Sequence, residues 1–276
     1  MDTLTQGWGD WEKVTQRGKD TGNDEDQDYR PENCQERGKS MFLVLCKEPE
    51  HWYSGKIRSK KTLVEMAPDG GELEVVVQGP NLQFHDGRRC RFAHSLWPAV
   101  WLLPSNVPWP TGSECDLLEL MMHTYDDCNK GFSTLHWGPY RGRDIVTRGS
   151  CGLHLGSYVW DEGDHSLRFR WERRADRAWV LSFWVDDRHV WRFATAKEGI
   201  LAATHEGYGE GFREGPPGDA CVIIQRAFDE PQRSYHIIAN LALGGRPFGR
   251  RSHDELKMAD FVVKGVRVRP LSEITG

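Results

Sequence analysis

The sequence predicts an all-β chain folded as one sandwich of two antiparallel sheets, and three observations lead there. Apolar and polar residues alternate with period two: Leu73, Val75 and Val77 against Glu72 and Glu74, and Leu167, Phe169 and Trp171 against Arg168, Arg170 and Glu172. Successive side chains of a strand point to opposite faces, so this alternation marks strands buried on one side. No apolar stripe keeps a helical period for long. Gly and Pro punctuate the chain throughout, Gly215-Pro216-Pro217-Gly218 among them.

The elements follow in order. A chain of 276 residues holds one large β domain or two modest ones, with ample core. Residues 1–22 are polar, with Trp8 and Trp11 their only large apolar anchors, and read as a loosely held arm; residues 23–276 read as one domain. Met41–Cys46 is a short apolar run, as a strand buried on both faces should be. Trp179–Val185 and Arg188–Phe193 read as strands joined by a turn at Asp186-Asp187. Cys221–Ile224, Tyr235–Leu243 and Phe261–Val268 complete the expected set.

Composition narrows the function. A formal net charge of −5 gives no basic footprint, so no nucleic-acid partner is expected, and the arginines between Arg168 and Arg177 read as a solvated strand face. Residues 1–20 lack the apolar stretch of a secretory signal and no segment reaches transmembrane length, so a soluble protein with no membrane partner is expected, its compartment undetermined. A monomer is expected, though nothing in the sequence fixes the oligomeric state. Seven cysteines without a CxxC pair argue against a zinc site, and their pairing is open. Twelve tryptophans are the informative number. A flat indole face suits the C–H face of a sugar ring, though a sandwich core uses Trp as filler too.

The chemistry concentrates in Trp109-Pro-Thr-Gly-Ser-Glu-Cys-Asp-Leu-Leu-Glu119. On a strand, Glu114 and Asp116 share a face, and a regular continuation turns Glu119 toward the core. A buried unpaired carboxylate costs several kcal/mol. One extra residue at Leu117-Leu118, a β-bulge, returns Glu119 to the face of the other two acids. Three acids in a row suit retaining glycoside cleavage, which needs two carboxyls about 5–5.5 Å apart. A solvated acidic edge or a calcium site has the same spacing.

These residues resemble family 16 glycoside hydrolases, especially the laminarinase-like branch with its pattern ExDxxE. Tyr53-Ser-Gly-Lys-Ile-Arg-Ser59, Thr134-Leu-His-Trp-Gly138, Asn23-Asp-Glu-Asp-Gln-Asp-Tyr29 and Ile237-Ile-Ala-Asn-Leu-Ala-Leu-Gly-Gly245 are similar to further segments of that branch, in the family's order. The resemblance implies a β-jelly-roll with a concave substrate cleft and an endo-acting, retaining hydrolase of β-1,3-glucan or mixed β-1,3/1,4-glucan. It implies Glu114 as nucleophile, Glu119 as general acid/base and Asp116 as assisting acid. Trp109, Trp97, Trp101, His136, Arg58 and Asn23 become candidates for binding sugar. No cofactor is required, and Asp260 is a candidate ligand for a structural calcium. Relatives that bind β-glucan without cutting it, or that cut a galactan, are the alternatives. Cys115 stands where the branch has Ile or Val, and Asn81–Arg91 is longer than its usual turn, so an enlarged loop at one end of the cleft is expected.

Overall fold

The computed structural model describes residues 4–5, 7–88, 90, 92–109, 112–124, 129–137, 151–195, 199–203, 217–249 and 253–274. Among these residues eighteen strands, numbered in chain order, form two sheets. The larger sheet holds β1 (Leu4–Thr5), β3 (Gln27–Tyr29), β4 (Cys34–Arg37), β5 (Ser40–Glu48), β6 (His51–Ser54), β8 (Gly70–Phe84), β13 (Asp164–Arg173), β14 (Trp179–Val185), β15 (Arg188–Ala194), β16 (Gly199–Ala203) and β18 (Leu256–Pro270). The smaller sheet holds β2 (Trp11–Lys13), β7 (Lys56–Ser59), β9 (Leu96–Leu103), β10 (Glu114–Glu119), β11 (Lys130–Trp137), β12 (Cys151–Val159) and β17 (His236–Leu243). Its spatial order, β12-β11-β10-β9-β17-β7-β2, puts the acidic strand β10 between β11 and β9. Among the described pairings only β3 with β6 is parallel.

Alternation does the work the sequence predicts. Leu73, Val75 and Val77 of β8 and Leu167, Phe169 and Trp171 of β13 are buried in one core with Val100 and Leu102 of β9 and Leu117 and Leu118 of β10. Trp191 of β15 bridges the sheets, its indole N–H donating to Ser133 Oγ on β11 (2.8 Å). The Asp186-Asp187 turn has φ of +48° and +63°, the left-handed pair that a two-residue hairpin demands.

Four expectations need correction. The segment expected to be a loose arm is tied into the fold: β2 pairs with β7, and Trp11 is buried in the core. Charged neighbours hid this, because a single large apolar side chain suffices to anchor a three-residue strand. Cys221–Ile224 is helical, not strand: it lies within a helix, Pro217–Asp229, that buries Cys221, Ile224, Ala227 and Phe228. Four apolar residues are too few to separate the two periods. The first four residues of the expected loop at Asn81–Arg91 are strand, since β8 runs to Phe84 and pairs with β18 through Asn81, Leu82 and Gln83. Glu72, expected on a solvated face, is buried and clamped by Arg170 (2.7 Å) and Arg269 (2.5 Å). Two guanidiniums compensate a desolvated carboxylate that one partner would leave exposed to a large penalty. Cys34, Cys46, Cys90, Cys115 and Cys221 are free thiols, and Cys128 lies outside the described residues.

Candidate active site

The expected bulge is present at Leu117. Against β9, Asp116 faces Trp101 and Leu118 faces Val100, two residues opposing one. Against β11, Asp116 faces Thr134 and Glu119 faces Phe132, three steps opposing two. Leu117 and Leu118 are both fully buried, while Glu114, Asp116 and Glu119 all line one cavity of about 720 Å³. The bulge is held from both flanks. Tyr158 donates its hydroxyl to the Leu117 carbonyl (2.7 Å), and Ser133 donates to the Asp116 carbonyl (2.7 Å). Gly131 makes room for this: a Cβ there would meet the Tyr158 ring at 2.3 Å.

Neighbouring strands supply the rest by alternation. Trp97, Ala99, Trp101 and Leu103 of β9, Phe132, Thr134 and His136 of β11, and Asn240 and Ala242 of β17 face the cavity. Trp109 projects over it, 43% exposed, its ring centroid 6.5 Å from that of His136. Thr21, Gly22, Asn23 and Glu25 close one wall. That wall is clipped to the segment after β17 by Arg246 with Asp24 (2.5 Å) and His253 with Asp26 (2.9 Å).

Electrostatics in the acid row are strained. Burial, then Asp116, pushes the Glu114 carboxyl up to about 8, while His136 and a hydrogen bond from Trp109 pull it down. Burial lifts Asp116 well above the usual carboxylate range, with Glu119 adding to it and a hydrogen bond to Glu114 opposing. Glu119 is raised to about 7, by burial first, against the pull of His136. Thr134 Oγ1 approaches it at 3.4 Å, and Trp97 lies close enough to favour its ionised form without a full hydrogen bond. His136 Nε2 sits 3.1 Å from Asp116 Oδ2. Glu119 raises Asp116, and Glu114 raises Glu119, by like-charge repulsion inside this buried row, so their protons belong to the group and not to single residues.

Two candidates fall elsewhere. Arg58 is on β7, bound to Glu12 (2.5 Å) and away from the cavity. Asp260 lies on β18, away from the cavity, where its carboxylate accepts from the Asn81 amide (2.7 Å) and burial raises its pKa. Among the described residues the one group of three or more His, Cys, Asp or Glu able to share an ion is Glu114, Asp116 and His136, with ligand atoms within 4.8 Å. Three residues not singled out from the sequence belong near the site. Glu25 and Asn240 line the cavity, and Lys56 lies over the Tyr29 and Trp101 rings at 5.2 and 5.1 Å. Trp101 donates to Asn240 (2.7 Å), which donates to the Tyr29 hydroxyl (3.1 Å), which donates to Glu25 (2.7 Å). Period two from Trp101 and His136 points to the cavity face; nothing in the sequence links Lys56 to Tyr29.

This architecture can be set against known proteins. The endo-1,3-beta-glucanase of Streptomyces sioyaensis superposes with a TM-score of 0.63 at 19% identity, covering 96% of this chain and 90% of that one. The laminarinase catalytic domain of Thermotoga maritima gives 0.63 at 16% identity, covering 98% of both chains. The fold is that of the family 16 laminarinases. The laminarinase fold is thus a β-jelly-roll here as in those proteins, with the acid row on its smaller sheet. By sequence, the beta-1,3-glucan-binding protein of Penaeus monodon is 34% identical over 102 residues, 33% of this chain and 25% of that protein. The clotting factor G alpha subunit of Tachypleus tridentatus is 25% identical over 162 residues, 55% of this chain and 22% of that protein. These matches span about a quarter of the length of either relative. No family model matches the chain.

Proposed function

We propose that the chain is a retaining endo-glycosidase that hydrolyses β-1,3-glucan or mixed β-1,3/1,4-glucan by double displacement. The observation that carries this reading is the bulge at Leu117, which turns Glu119 out of the core to join Glu114 and Asp116 in a tryptophan-lined cavity. Proteins sharing the fold and named as an endo-1,3-beta-glucanase and laminarinases support the substrate class.

Glu119 protonates the glycosidic oxygen while Glu114 attacks the anomeric carbon, giving a covalent glycosyl-enzyme. Glu119 then takes a proton from a water whose oxygen attacks the anomeric carbon, breaking its bond to Glu114 and releasing the sugar with retained configuration. Attack requires an ionised Glu114, which burial and the neighbouring Asp116 oppose. Burial raises both Asp116 and Glu119, so each holds its proton to higher pH than an ordinary carboxyl. The Trp109 hydrogen bond and the nearby His136 favour the Glu114 carboxylate. Trp97, Trp101 and Trp109 offer apolar faces to sugar rings, and Asn23, Glu25 and Asn240 offer polar atoms to hydroxyls.

The 34% identity to a beta-1,3-glucan-binding protein favours a second reading, glucan binding without cleavage. Digestion of laminarin, lichenan and agarose with product analysis separates them. Short glucan oligosaccharides from laminarin or lichenan support the endo-hydrolase. Laminarin binding with no products supports the second reading, and products from agarose alone overturn both.

A further inference from the structure

The backbone enters the acid strand through an unusual residue. Ser113, immediately before Glu114, has φ +58° and is completely buried. A side chain in the left-handed region crowds the following carbonyl, which is why glycine is the usual occupant. Ser113 is instead anchored by its hydroxyl, which bonds the Gly112 carbonyl (2.6 Å) and the hydroxyl of Tyr235.

Tyr235 is a firm anchor. It is buried, its ring packs edge-on against Phe228 at 5.5 Å, and its carbonyl accepts from Leu63 N (2.9 Å). On the other side of Ser113, Gly112 is packed so closely that a Cβ would meet Pro104 Cγ at 2.5 Å. Ser113 is therefore the joint between the segment that carries Trp109 and the strand that carries Glu114. Those two side chains line the same cavity, and Trp109 lies near enough to favour the Glu114 carboxylate.

We infer that the Ser113–Tyr235 hydroxyl pair is a positioning latch, holding a left-handed joint that sets Glu114 and Trp109 on the same cavity. The inference rests on the hydrolase reading for its effect on turnover, though the latch itself does not. Breaking the bond while keeping a side chain at the joint leaves the backbone cost without its anchor. Removing the side chain as well relieves that cost.

The test is a cycle of Tyr235→Phe, Ser113→Ala, Ser113→Gly and the double variant Ser113→Gly/Tyr235→Phe. Tyr235→Phe and Ser113→Ala should each lower kcat on laminarin about tenfold, the factor matching a left-handed cost of this size, with KM little changed. Ser113→Gly should lose only about twofold, and adding Tyr235→Phe to it should cost no more than about twofold again. A loss from Tyr235→Phe that is equally large in the Ser113→Gly background, or absent in the wild type, overturns the latch. A second readout needs no turnover. The carbon-13 titration of the Glu114 carboxyl, assigned by its absence in Glu114→Gln, should shift in Tyr235→Phe and return toward wild type in the double variant. An unshifted midpoint overturns the inference. If the wild type cuts no glucan, the hydrolase reading fails alone, and the titration still decides the latch.

Discussion

Glu114 and Glu119 differ in what their loss should do. Glu114→Gln keeps shape and removes the nucleophile, so kcat on laminarin should fall at least about a thousandfold while binding persists. Glu119→Ala should lose about 10²–10⁴ on glucan yet retain much of its rate on aryl glucosides, whose leaving groups need no proton. Equal loss on both substrates would remove Glu119 from the acid role. The raised carboxyls also bear on stability. Burial pushes the Glu114 carboxyl from its ordinary value of 4.5 up to about 8 on folding. Between those values the folded state holds more protons, so its stability falls as pH rises through that window. Glu114→Gln removes this liability: its thermal midpoint should exceed the wild type's at pH 8, and the gap should close by pH 4. Asp116→Asn replaces a like charge with an amide, so the ascending limb of the pH–rate profile should move to lower pH.

At the level of elements, the bulge decides what β10 can do. Its carbonyl at Leu117 is satisfied by Tyr158, so Tyr158→Phe strands a buried acceptor and should cost about 1–3 kcal/mol in urea unfolding, with kcat falling alongside. Wild-type stability and rate in that variant would mean the bulge needs no such anchor. The bulge was legible in the sequence because a regular strand would have buried Glu119, and energy forbids that. The cavity face of β9 and β11 was legible from the same alternation that places Trp97, Trp101 and His136. Arg58 falls outside the cavity because its partner, Glu12, arrives from a remote strand, and side-chain pairing across such distances leaves no periodic trace. The helix at Pro217–Asp229 escaped notice because its apolar run, Cys221–Ile224, satisfies either period.

Across the whole molecule, the first thirty residues serve both sheets. β2 extends the smaller sheet, β3 pairs in the larger one, and residues 21–25 wall the cavity between them. Trp11 is the anchor of this segment, and Trp11→Ala should cost about 3–5 kcal/mol. Because the wall is clasped, Arg246 with Asp24 and His253 with Asp26, the loss should also weaken laminarin binding in calorimetry. An unchanged affinity would show that the wall stands without β2.

The clasp joins stretches more than two hundred positions apart, Asp24 with Arg246 and Asp26 with His253. A polypeptide still emerging from the ribosome therefore has no finished trough until its late strands have been made. Whatever the trough grips, it can grip only after synthesis has passed His253.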